Sequence, residues 1–320
     1  MKNKNGVMSV NAIIEKITEQ IQEGIYPGAS LALYRKGQWS EHYLGLADPE
    51  KGESVVADLV YDLASVSKVV GVATICAFLY AKGELALDRS FKELYPRFAH
   101  EKTTIRELLT HTSGLDPFIP NRDQLDARQL KTALENLQLK ENKSFHYTDV
   151  NFLLLGFWLE DRFHQPLDRL FEELIFTPWK MTETRFGPVE KAVPTVRGLA
   201  SGSVHDPKAR VLGCHAGSAG LFSTVADLER FLEHYLKDDF ARDLSQNFAR
   251  EEGKTRALGW NLEGDWLDHT GYTGTFIMYN RKRQEAVIFL SNRTYEKDER
   301  AQWILDRNSL MDLIKQECEK

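Results

Sequence analysis

The chain has 320 residues, 41 basic and 47 acidic for a net charge of −6, with 42% hydrophobic and 28% charged side chains. That composition describes a globular protein able to bury a sizeable core, in one large domain or two, without low-complexity tracts or internal repeats. Charges of both signs are interspersed, which argues against nucleic acid or an anionic membrane as partner; Cys76, Cys214 and Cys318 imply neither a disulfide framework nor a zinc site.

The first residues carry two lysines and then an amphipathic pattern (Val10, Ile13, Ile14, Ile17, Ile21) that predicts a helix rather than the continuous apolar stretch of a signal peptide. No run reaches about 18 uninterrupted apolar residues, so no transmembrane helix is expected. A cytoplasmic location is the expectation, with export through a leader removed before residue 1 left open. After Pro27-Gly28, the segment Ala29–Tyr34 predicts a strand entering a hairpin at Arg35-Lys36-Gly37-Gln38, with its partner over Trp39–Leu46. Ser65–Lys82 predicts a buried helix, apolar nearly all round and stopped by Gly83.

From about Thr103 to Leu236 the signals are helical or irregular: a capped start at Thr104, then Leu125–Leu137, Asp149–Phe163, Leu167–Ile175 and Val225–Leu236. Strand signals return at Leu258–Asn261, Trp266–Thr270, Thr275–Asn280 and Ala286–Ser291, with Arg281-Lys282-Arg283 as a solvated hairpin rim, and a last helix covers Glu299–Cys318. The expected fold is α+β, an antiparallel sheet flanked by helices and built from both termini (1–95 and 240–320), with a mostly helical domain (96–239) inserted between them.

Ser65 and Lys68, at i and i+3 of a helix start, share one face with Cβ atoms about 5–6 Å apart. A lysine can take the proton of a serine hydroxyl only when burial or neighbouring cations leave it neutral, and Val66, Val69 and Val70 supply such burial. The unpartnered N–H groups of the first turn can help to hold the oxyanion of acyl transfer. On this spacing alone, a helix cap is the commoner role for Ser65.

The rest of the chain changes the balance. It carries YDLASVSKVV at 61–70, KGELALD at 82–88, TTIRELLTHTSGL at 103–115, HYTDVNFLLLG at 146–156, TPWKMTETRF at 177–186, AGLFSTVADLERF at 219–231 and HTGYTGT at 269–275. In this order and over nearly its whole length, it resembles the serine β-lactamase-related hydrolases: class C β-lactamases, DD-peptidases and penicillin-binding proteins, D-aminopeptidases and the esterases of that fold. The resemblance implies a β-lactamase/transpeptidase-like fold and acyl-enzyme chemistry without a metal or organic cofactor, with Ser65 as nucleophile, Lys68 as its partner and Tyr147 as the second-motif proton shuttle. A phenol facing an ammonium is chemically suited to that task.

Two departures matter. Asp149 stands where the family usually has asparagine; it can hold Lys68 but cannot donate an amide hydrogen bond to substrate, and it also reads as a cap for the helix that follows. His269-Thr270-Gly271 replaces the Lys-Thr-Gly of β-lactam-recognising members, and a neutral histidine is a weaker carboxylate clamp than lysine. The resemblance implies that Asp149, His269, Thr270, Gly271 and Tyr272 bind substrate, the Tyr272 N–H being the second oxyanion donor.

Ala216-Gly217-Ser218-Ala219-Gly220 approaches the G-x-S-x-G elbow but is read as the family's glycine-rich loop. Cys214-His215 is an isolated pair, and His111 orders a turn. The expected function is a serine hydrolase acting on an ester or amide (carboxylesterase, D-aminopeptidase or DD-carboxypeptidase-like). The competing readings are a penicillin-binding or sensor protein that acylates with little turnover, motivated by Asp149 and by only a faint echo of a deacylating loop at Glu172-Glu173, and a weak β-lactamase. A metal-dependent hydrolase ranks last, because the nine histidines form no H-E-x-x-H grouping. The partners expected are a small ester, peptide or β-lactam substrate and no nucleic acid; oligomeric state is left open.

Overall fold

The structure, a computed structural model, describes residues 10–141 and 143–319. Helix α1 (Val10–Gln22) precedes the hairpin β1 (Gly28–Arg35) and β2 (Gln38–Asp48), paired from Gly28↔Gly45 to Arg35↔Gln38. Lys36 (φ 50°) and Gly37 (φ 83°) both take left-handed backbone, the conformation that a two-residue turn between right-twisted strands requires.

The short strands β3 (Glu53–Ser54) and β4 (Tyr61–Asp62) lead into a continuous helical segment from Ala64 to Ala81. It opens with a 3₁₀ turn (Ala64–Val66), passes through a π turn (Val69–Ala73) and ends as α2 (Thr74–Ala81). Thr74 Oγ1 donates to the Val69 carbonyl at 2.6 Å across the widened turn, and a Cβ on Gly71 would collide with the Phe171 ring. By length and mean hydropathy (1.6) the segment could cross a membrane, yet 78% of it is buried inside this fold, as a core helix must be. Cys76, on this helix, is a free thiol that burial pushes up to about 12.

The middle of the chain holds α3 (Phe91–Leu94), α4 (Ile105–Thr110), α5 (Ala127–Glu135), α6 (Val150–Phe163) and α7 (Leu167–Phe171), the last running on into a second π turn. The capped start expected at Thr104 is a full capping box with Glu107, and Asp126 and Gln129 form another. Then come β5 (Arg185–Phe186), α8 (Pro207–Leu212), β6 (Leu221–Ser223) and α9 (Val225–Lys237). Strands β4, β6 and β5 make a small three-stranded sheet.

The chain returns to the large sheet with β7 (Asn261–Glu263), β8 (Trp266–Thr270), β9 (Phe276–Asn280) and β10 (Glu285–Ser291), and ends in α10 (Arg300–Glu319). The order β3-β2-β1-β10-β9-β8-β7 makes seven antiparallel strands, in which the last strand pairs with the first from Ala29↔Ser291 to Tyr34↔Ala286. Strand alternation sorts the side chains: Ala29, Leu31 and Leu33 face the layer of α1 and α10, whereas Ala32 and Tyr34 join the core shared with the helical middle. The strand expected at Leu258–Asn261 begins at Asn261 instead. Gly259, at φ 84°, is pressed against the π turn before α2, where an added Cβ would lie only 2.6 Å from that of Ala73, so its backbone turns rather than extends.

Candidate active site

Ser65 lies on the 3₁₀ turn between β4 and the buried helix, and the sharpness of that entry falls on Ala64, whose φ of 46° costs a non-glycine residue about 1–3 kcal/mol. Its neighbours hold the strained turn. Asp62 Oδ1 accepts from the Ala64 N–H at 2.8 Å and Oδ2 from the His205 N–H at 2.7 Å; burial nonetheless pushes the Asp62 carboxyl up to about 6. From the far side, Thr275 Oγ1 donates to the Leu63 carbonyl at 3.1 Å and Thr273 Oγ1 to that of Asp62 at 2.9 Å. Ser65 makes no capping bond to the helix and is itself half-buried.

Lys68 is fully buried and spends its three N–H donors on Ser65 Oγ (2.9 Å), Asp149 Oδ1 (2.7 Å) and the Ser218 carbonyl (3.0 Å). Burial works against the ammonium, but Asp149 outweighs it and holds Lys68 above its ordinary value. This corrects the expectation from Val66, Val69 and Val70: the apolar shell is there, and a carboxylate 81 residues away keeps the lysine charged. The glycine-rich loop at 216–220 supplies the carbonyl that completes this shell.

Asp149 precedes α6 but makes no capping bond; its second oxygen takes Lys208, from α8, at 3.2 Å. Burial raises its carboxyl, yet the two lysines together hold it well below the usual carboxylate range. Lys208 carries no motif signal, and its place is set only by the packing of α8.

Tyr147, 38% exposed, has its ring centre 5.2 Å from Lys68 Nζ. It is held between His111, at 4.6 Å between ring centres, and His269, at 6.1 Å. His111 ends α4 in the left-handed conformation (φ 58°), so the turn role read for it carries a second: its ring is the floor on which Tyr147 lies. His111 Nδ1 is approached by Asn151 Nδ2 (3.1 Å) and the Thr148 N–H (3.4 Å), which makes it the acceptor and leaves the ring proton on Nε2. Burial, together with Arg256 and Lys68, holds His111 well below its ordinary value.

His269 is 2% exposed, and neither ring nitrogen has a hydrogen-bond partner. Burial, then Lys68 and Arg256, push it well below its ordinary value, so it is neutral at pH 7. Thr270 Oγ1 instead accepts from Arg307 NH1 of α10 at 3.1 Å, which brings a guanidinium to the third motif from a helix 37 residues on. Gly271 is fixed by space: a Cβ would fall on Thr275 Oγ1 and lie 2.6 Å from the Leu63 carbonyl oxygen. Its N–H donates to the Thr275 carbonyl at 2.6 Å, closing a tight turn after the third motif.

Ser65, Tyr147, Asp149, Lys208 and Tyr272 open on one cavity of about 760 Å³. Glu172 and Glu173 do not line it; Glu172 accepts from Thr177 at 2.5 Å. His215 pairs with Glu160, and among the described residues no cluster of metal-binding side chains occurs. The arrangement joins the hydroxyl of a half-buried serine, a satisfied ammonium, a phenol and backbone donors at one wall, the parts that acyl transfer needs.

Residues 13–310 match the Beta-lactamase family. The chain is 27% identical to a protein of Escherichia coli (strain K12) named "putative D-alanyl-D-alanine carboxypeptidase", over 90% of this chain and 83% of the relative, and 25% identical to a namesake from Salmonella typhi, over 87% and 81%. Among solved structures, a β-lactamase/D-alanine carboxypeptidase from Pseudomonas syringae superposes with a TM-score of 0.73 at 20% identity, covering 93% of this chain and 98% of that one. EstCE1, a hydrolase with promiscuous acyltransferase activity, gives 0.72 at 19% identity, covering 94% and 97%. These two likenesses share the α+β fold described above.

Proposed function

Because the chain belongs to the β-lactamase family, serine hydrolases that work through an acyl-enzyme, we propose that Ser65 is the nucleophile that opens an ester or amide carbonyl. The observation that carries this reading is the 2.9 Å bond from Lys68 to Ser65 Oγ, made by an ammonium that Asp149 also holds at 2.7 Å. Held as a cation, Lys68 donates to the nucleophile and does not take its proton. Tyr147, whose ring centre lies 5.2 Å from Lys68 Nζ, is the group that takes up that proton, and the N–H groups of Ser65 and Tyr272 receive the oxyanion. Tyr147 then passes the proton to the leaving group, and a water repeats the sequence to release the acyl chain. The steps draw only on groups of the chain itself.

The neutral His269 supports a preference for substrates other than β-lactams. Arg307 at Thr270 supports a second, narrower reading, in which the substrate ends in a carboxylate, as a D-alanyl peptide does; the name of the Escherichia coli relative agrees with it. The test is labelling with a fluorophosphonate and with a fluorescent penicillin, read by intact mass, beside turnover of p-nitrophenyl esters and D-alanyl peptides. Adducts that map to Ser65 and vanish in Ser65→Ala are expected. An unmodified chain with both reagents, and no turnover, would overturn the proposal; an adduct that persists for hours would turn it into a penicillin-binding protein with little turnover.

A further inference from the structure

The cavity on which Ser65 opens continues into another. A second space, of about 480 Å³, adjoins it, and both are lined by Arg122, Pro207, Lys208 and Arg210. These shared residues form a neck between the two. Asp206 caps α8 by accepting from the Ala209 N–H at 2.8 Å, and Pro207 opens its first turn, so Lys208 and Arg210 reach the neck from one short helix. Arg122 reaches it from a different element, a 3₁₀ turn (Arg122–Gln124) that follows Asn121 in left-handed backbone (φ 50°).

The charges around the larger cavity do not cancel. Its acids are Asp149, Asp206 and Asp298, and each is already engaged. Asp149 is held by Lys68 and Lys208, Asp206 caps α8 with Lys208 3.8 Å away, and Asp298 accepts from Arg293 NH1 and from the Tyr272 hydroxyl. Of the cations, Lys208 is taken up by these pairs, and Arg122 leans on Asp123, its exposed neighbour in the chain. Arg210 is exposed and makes no side-chain hydrogen bond or ion pair among the described residues, and Arg300 lies over the Tyr272 ring at 5.7 Å without a carboxylate. A neck with one free guanidinium, and a second tied only to an exposed acid, favours a negative group on the substrate. An arginine fork takes a carboxylate through two parallel bonds.

Thr270 and Arg307 do not line this cavity, so a carboxylate at the leaving-group end, read above for Arg307, is received elsewhere. The acyl chain is the part left to extend along the cavity to the neck. We propose that the acyl group of the substrate carries a carboxylate of its own, received at the neck by Arg210 with Arg122 beside it, so that acidic acyl groups are preferred to neutral ones. The inference rests on Ser65 as the nucleophile proposed above, since it is Ser65 that fixes where the acyl chain begins.

The test compares mono-p-nitrophenyl adipate with p-nitrophenyl hexanoate, whose acyl chains are equally long and differ by a carboxylate. The readout is the ratio of their kcat/KM values, which a loss of folded protein would not move. The wild type is expected to favour the adipate, less so as salt screens the exposed charges. Arg122→Gln with Arg210→Gln should cut the ratio roughly three- to tenfold; Arg210→Lys keeps part of the preference, and Arg210→Glu reverses it. A wild-type ratio at or below unity overturns the proposal, as does a ratio untouched in the double variant or lowered instead by Arg307→Gln. Failure of the underlying reading looks different: Ser65→Ala would keep its turnover of both esters, or the wild type would hydrolyse neither. Calorimetry with adipate and hexanoate then settles the neck. Tighter adipate binding that is lost in Arg210→Gln upholds it, and equal affinities overturn it.

Discussion

Replacing Asp149 by asparagine would leave Lys68, fully buried, without its counter-charge while changing almost nothing in shape. Breaking a buried ion pair by removing one partner costs about 3–5 kcal/mol. Asp149 is 25% exposed and Lys208 shares it, so the lower end, about 3 kcal/mol, is expected, a fall in Tm of roughly 6 °C for a chain this long. The pH dependence carries the sharper information. In the wild type, Lys68 is held above its unfolded value and Asp149 below its own, so the pair stabilises fully between about pH 4 and pH 10. Its contribution is lost as pH falls through the folded value of Asp149 or rises through that of Lys68. In Asp149→Asn, burial acts on Lys68 with only Tyr147 left to oppose it, and is expected to take it below its unfolded value. The unfolded chain then binds more protons than the folded one, and stability rises with pH. Urea unfolding of both proteins at pH 6, 7.5 and 9.5 should therefore give a deficit that narrows towards alkaline pH. A variant within about 0.5 kcal/mol of wild type at pH 7.5, or a deficit constant across the series, would refute the claim that Asp149 keeps Lys68 charged.

Other substitutions test separate parts of the wall. Gly271→Ala must displace either Thr275 or the backbone at Leu63, and should lose at least about 3 kcal/mol of stability together with most activity, measured by thermal unfolding and ester turnover. His269→Phe puts a somewhat larger apolar ring in place of the imidazole and deletes two nitrogens that have no partner among the described residues, so unfolding should change by no more than about 2 kcal/mol; a larger loss would mean that a hydrogen bond to this histidine matters. Arg307→Gln should raise KM roughly tenfold for substrates ending in a carboxylate and leave neutral esters within about twofold. Equal effects on both would remove Arg307 from carboxylate recognition.

Much of this could be read before any coordinates. The strand run Ala29–Tyr34 entering a hairpin, the capped start at Thr104 and the i, i+3 spacing of Ser65 and Lys68 are local signals, and each has its counterpart in the fold. What the sequence left undecided is the balance of burial against long-range charge, since Asp149 was already read as able to hold Lys68. The apolar neighbours of Lys68 argued for a neutral amine because they are adjacent in the chain, whereas Asp149, which reverses the outcome, is not. Lys208 and Asp62 meet the site only once α8 and β4 are packed, and no pattern around either announces it. Arg256 lies in Lys254-Thr255-Arg256, which reads as an ordinary polar stretch before a strand; only its burial sets it apart. Gly259 shows the same limit in the backbone, where apolar Leu258 and Trp260 suggested extension and a contact with Ala73 of the π turn imposed a turn.

The pairing of β1 with β10 has a consequence in time. Ala29 meets Ser291, 262 positions later, so during synthesis the first strand waits for nearly the whole chain to emerge before its inner edge is covered. The turn that carries Ser65 waits as well, since Thr273 and Thr275, which brace Asp62 and Leu63, arrive with the same late strands. Contacts of such long sequence separation form slowly. A nascent or C-terminally truncated chain therefore holds Ser65 in a turn that lacks its Thr273 and Thr275 braces.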